Sequence, residues 1–162
     1  MKKSILLLII VGALLILFLL FQGVRYLSPG SYAFAEIYEF NTTDTQLINR
    51  IEDYKANNPQ FKVPINNLVD GKEDSNDYWY HIYFYYPKDN EIIYFWVRQS
   101  IVGKTKIGLV SFNKGLHSGS WTEVNDNDDK IENSEVKKIF QQQVLDKLGL
   151  KYLDKGNGMS LW

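Results

Sequence analysis

Residues Ile5 to Phe21 form an unbroken apolar run, preceded by Lys2 and Lys3 and followed by Gln22-Gly23-Val24-Arg25-Tyr26-Leu27. No water-facing element tolerates such a run, so it divides the chain in two. A helix rises about 1.5 Å per residue and a bilayer core is about 30 Å thick, so Ile5 to Val24 is just long enough to span. Lys2 and Lys3 keep the N-terminus in the cytoplasm by the positive-inside rule, and Arg25 and Tyr26 fall at the far interface. The reading is a signal-anchor in a bacterial inner membrane, with residues 1–27 as the anchor, 28–31 (Ser28-Pro29-Gly30-Ser31) as a linker and 32–162 as an extracytoplasmic domain. A cleaved signal peptide is the rival, but it needs a shorter apolar core and a small-residue site close behind it. Ala33-Phe34-Ala35 has the right form and lies well past the run.

The domain is of ordinary size for one hydrophobic core. Removing Lys2, Lys3 and Arg25 from the 18 basic residues leaves 15 against 19 acidic ones, a net charge of −4. A mildly acidic domain lacks the clustered Lys and Arg of a nucleic-acid binder. There is no cysteine, which excludes disulfides, thiolate metal sites and an N-terminal lipid-bearing Cys. The Lys, Asn, Ile and Tyr bias points to an AT-rich bacterial genome.

The pattern along residues 32–162 predicts an α+β fold. Tyr32 to Phe40 reads as a first strand. Thr43-Asp44-Thr45-Gln46 is a capping box, in which the Thr43 hydroxyl takes a backbone N–H and Gln46 reaches back. It opens a helix over 44–57, with Leu47, Ile48, Ile51 and Tyr54 on one side and Asn57-Asn58-Pro59 as the stop. Phe61 to Asn76 looks irregular. Tyr78 to Tyr86 is the strongest strand signal, followed by the turn Pro87-Lys88-Asp89-Asn90 and a returning strand, Glu91 to Gln99. Thr105 to Phe112 and a short Trp121 to Val124 complete the strands. Asn133 or Ser134 is the expected cap of a last helix that ends at Gly149. The tail Leu150 to Trp162 shows no period. The order β-α-β-β-β-(β)-α implies an antiparallel meander of about four or five strands with two helices on one face.

A four-residue turn at 87–90 fixes the hairpin register. Phe84 then faces Ile93, Ile82 faces Phe95 and Tyr80 faces Val97 on an apolar side. The other side pairs Tyr85 with Ile92, Tyr83 with Tyr94, His81 with Trp96 and Trp79 with Arg98, because alternate side chains point to opposite faces. Trp79, His81, Tyr83, Tyr85, Tyr94, Trp96 and Arg98 are therefore the candidate binding face, aromatic with polar tips. The plainer reading is that these rings simply stabilise the sheet and are covered by the 60–77 segment or the tail.

No catalytic residue, metal ligand or cofactor motif is assigned. His81 and His117 have no metal-ligand spacing, and the Gly156-Asn157-Gly158 stretch lacks the strand-to-helix context of a phosphate loop. The run from Glu123 to Glu132 is rich in Asp and Asn, but Lys130 interrupts it and the glycine of a calcium loop is missing. The expected function is a single-pass, membrane-anchored protein-binding module of the cell envelope, either an accessory subunit or an inhibitor or immunity-type protein. The alternative is a glycan- or small-ligand-binding domain using the aromatic face. A third class is a hydrolase using His81 with a carboxylate that the sequence alone does not identify.

Overall fold

The structure is a computed structural model that describes residues 32–158, apart from 66, 101, 102, 118 and 126–129, together with Val11, Gly12, Ile16 and Phe18. The chain divides into two units, Met1–Ala33 and Phe34–Trp162. In the first, the four described residues before Tyr32 are helical. Among the described residues no helix is long and apolar enough to cross a membrane. Most of the span expected at 5–24 lies outside the described residues.

The second unit is α+β, with an open antiparallel sheet of six strands and two helices. The strands are β1 (Glu36–Phe40), β2 (Tyr80–Tyr86), β3 (Glu91–Gln99), β4 (Thr105–Lys114), β5 (Trp121–Glu123) and β6 (Tyr152–Asn157). Their order in the sheet is β2-β3-β4-β1-β6, with β5 paired to β4. The helices are α1 (Asp44–Asn57) and α2 (Lys130–Gln143).

Thr43 caps α1, its hydroxyl accepting from the Gln46 N–H at 3.3 Å. The return half of the box differs from expectation: Gln46 Oε1 accepts from the hydroxyl of Thr42, the nearer donor, at 2.8 Å. At the other end Asn58 donates to the Tyr54 carbonyl, and a 3₁₀ turn begins at Pro59.

The β2–β3 register matches the expected one from Tyr80–Val97 through Tyr86–Glu91. The expected Trp79–Arg98 pair is not made. β2 starts at Tyr80, and the Trp79 N–H turns instead to Asp77 Oδ1 at 3.0 Å. β4 runs to Lys114, two residues beyond the expected end, and carries a bulge: Tyr94 pairs with Ser111 but Phe95 with Leu109, so Val110 has no partner on β3.

Ile82, Phe84, Ile93, Phe95, Val97, Ile107, Leu109, Tyr38 and Phe40 form the apolar side of the sheet. Leu47 and Ile51 from α1 and Val136 and Phe140 from α2 pack into the same cluster, so both helices cover one face. α1 also buries Lys55, which pairs with Asp70 and lies 5.1 Å from the Phe84 ring centre.

Three boundaries differ from the sequence pattern. The first strand starts at Glu36, after a turn at Ala33–Phe34. Helix α2 is already under way at Lys130, and the expected cap Asn133 is a buried residue within it. Its side-chain oxygen accepts the N–H of Asn125 at 3.1 Å, tying the preceding chain to the helix. The tail is not irregular. A 3₁₀ turn (Leu145–Leu148) ends on Gly149 in the left-handed region, and β6 then returns beside β1. That strand lacks alternation because its register shifts at Lys155, and because it is an edge strand carrying exposed Leu153 and Asp154.

Candidate functional site

The sheet face turned away from the helices is built from cross-strand rows. One row reads Tyr83, Tyr94, Ser111 and Glu123 across β2, β3, β4 and β5. The next reads Tyr85, Ile92, Asn113 and Trp121. On the other side of the first lie His81, Trp96, Gly108 and Ile37.

Burial divides the candidate residues. His81 and Trp96 are each 5% exposed, so neither presents its ring to a partner. Tyr83, Tyr85, Tyr94, Trp79 and Arg98 are half-buried. Trp96 is buried because Gly108 opposite it has no side chain. A Cβ there would lie 2.3 Å from the indole Cε2 and Cζ2, so the ring rests directly on the glycine. The Arg98 guanidinium sits 6.0 Å from the centre of the Trp96 ring.

Trp121 joins the face and sequence reasoning missed it. Its ring lies 6.2 Å from both Tyr83 and Tyr94, at 57° to the first and 76° to the second. Tyr83 and Tyr94 stack on each other at 5.0 Å and 21°. The β4 bulge sets which β5 residues reach this face, and a one-residue shift would have turned Trp121 to the other side.

Asp77 is the second residue missed, and it is the carboxylate beside His81. The polar segment 70–77 folds against the edge of β2 through a backbone pair between Gly71 and His81, at 2.9 and 2.7 Å. This delivers Asp77 Oδ2 to His81 Nε2 at 2.8 Å, while His81 Nδ1 lies 2.6 Å from the Tyr94 hydroxyl. A carboxylate only accepts, so Nε2 donates to Asp77, and Nδ1 shares the second hydrogen bond with the Tyr94 hydroxyl. The N–H groups of Trp79 and Glu73, with the His81 ring, hold the Asp77 carboxyl below its ordinary range against the opposing effect of burial. The Trp79 N–H has the largest effect. The same segment places Asp70 Oδ1 on the Tyr83 N–H at 3.0 Å.

His81 is buried with both nitrogens engaged, one by Asp77 and one by the Tyr94 hydroxyl. Among the described residues no three His, Asp or Glu side chains converge in a way that would hold a metal ion. Residues 126–129 of the acidic run lie outside the described residues. Comparison with protein-family models, with curated proteins and with solved structures returned no match.

Proposed function

We propose that the protein is a membrane-anchored, extracytoplasmic protein-binding module of a bacterial envelope, acting through the helix-free face of its sheet. The anchor rests on the apolar run Ile5–Phe21 and its leading lysines. The observation that carries the binding role is the half-buried cluster of Tyr83, Tyr94 and Trp121, drawn from two adjacent rows of that face. Tyrosine and tryptophan in this state are the residues most enriched at interface hot spots.

Two features favour a protein over a flat ligand. Trp121 is tilted 57° and 76° to its neighbours, so the rings share no plane on which a sugar would lie. The row also ends in a carboxylate and phenol tips, which suit an uneven polar rim. An accessory subunit and an inhibitor or immunity-type protein both fit this class.

The test is an affinity pull-down of the full-length protein from native membranes in neutral detergent, beside Trp121→Ala and Tyr83→Ala. A specific partner lost in both variants, with unchanged circular dichroism, supports the reading. A partner that survives both changes removes this face from consideration.

A further inference from the structure

We propose that the segment captured on this face is cationic, a Lys- or Arg-bearing stretch of the partner docking across Trp121, Tyr94 and Glu123; this rests on the protein-binding reading above. Two observations converge on it. First, Glu123 is exposed and stands in the same cross-strand row as Tyr83 and Tyr94. It has no ion pair among the described residues.

Second, Trp121 and Glu123 are two residues apart on β5 and so share a face, about 6–7 Å apart. A guanidinium lying against the indole is then within reach of the carboxylate, combining a cation–π contact with a charge-assisted hydrogen bond. Arginine fits best, since its planar group stacks and forks at once. Arg98 and Lys106 face each other on β3 and β4, four residues along β3 from Tyr94 and about 13 Å away, and Lys104 and Lys155 lie at that same end, paired with Glu39. The cation-accepting end of the face is thus the Trp121 end.

The experiment uses full-length protein in neutral detergent and two labelled probes, octa-arginine and octa-glutamate, followed by fluorescence anisotropy at low and high salt. Glu123→Lys is compared with Glu135→Lys, which makes the same change in net charge at an exposed position of α2. The expected result is octa-arginine binding that weakens at least tenfold in Glu123→Lys and several-fold in Trp121→Ala, and stays close to wild type in Glu135→Lys. Equal weakening by the two charge reversals overturns the proposal, since binding would then follow net charge alone. So does a wild-type protein that ignores octa-arginine. If octa-glutamate binds instead and Trp121→Ala abolishes it, the face remains a docking surface and only the partner's charge is wrong. If neither probe binds and the native partner survives Trp121→Ala, the protein-binding reading of the face fails as well.

Discussion

Glu91 should make this domain less stable as pH rises toward and past neutrality, and Glu91→Gln should remove that loss. Glu91 opens β3, opposite Tyr86 on one side and Lys114 on the other, and is 5% exposed. Burial pushes its carboxyl up to about 7 from 4.5; Asp89 and Glu132 push the same way, and Lys114 opposes them. Lys114 is itself engaged in an ion pair with Glu132. A carboxyl raised in the folded state holds a proton that the unfolded chain has released. Stability therefore falls as pH climbs from about 4.5 to about 7 and stays low above it. At about 1.4 kcal/mol for each pH unit, that gap corresponds to roughly 3 kcal/mol. Glutamine keeps the shape and cannot ionise. The variant should match wild type near pH 5 and exceed it by up to roughly 3 kcal/mol near pH 8. Urea unfolding of the full-length protein in neutral detergent, followed by tryptophan fluorescence, measures both curves. Asp77 and Glu39, whose carboxyls are held low, contribute stability that is lost only in acid below this window. The difference between the two proteins therefore isolates Glu91, and a pH-independent difference would refute the reasoning.

Two further substitutions test the packing beneath and within the site. Asp70→Asn should cost about 2–4 kcal/mol, because it leaves the buried Lys55 ammonium against Phe84 without its counter-charge, whereas Lys55→Met should cost less than about 1 kcal/mol. Equal urea midpoints for the two variants would sink that account. Gly108→Ala should cost about 1–3 kcal/mol and alter the emission of Trp96, since the new methyl occupies the indole's place. An unchanged thermal midpoint and spectrum would show that the ring has room to move.

The β2–β3 hairpin was legible because its four-residue turn and strict alternation leave one register, and each side chain from Tyr80 to Val97 follows from it. What the pattern did not show is which rings of the second face would be covered. Trp96 is buried by a missing side chain on β4, and finding Gly108 opposite it requires knowing that β4 bulges at Val110. His81 is buried by a segment with no periodicity, where Asp77 is one acid among several. Alternation assigns side chains to a face, whereas burial depends on what folds back over it. β6 stayed hidden for a related reason. Its shift at Lys155 breaks the two-residue period, and an edge strand is under little pressure to be apolar.

The sheet edges bear on the choice of docking surface. Adding a partner strand requires a row of unengaged N–H and C=O groups. Along β2, the His81 N–H and carbonyl are both bonded to Gly71, and the Tyr83 N–H is bonded to Asp70. Along β6, the Gly156 N–H is bonded to the Asp154 carboxylate at 2.9 Å, beside the bulged Lys155. Gly156 has a φ of 70°, which bends the strand out of the extended form a new partner would need. Both of these edges are therefore interrupted by an aspartate and a glycine, Asp70 with Gly71 and Asp154 with Gly156, and the outer edge of β5 is only three residues long. Strand addition at either would first have to break bonds that the fold already makes. Side chains on the helix-free face carry no such cost. Tyr83 and Trp121 are already ordered by their mutual contacts, so less side-chain entropy is lost when a partner covers them. This asymmetry favours recognition through the face, and it predicts that substitutions at Trp121 and Glu123 affect binding more than any change along β6.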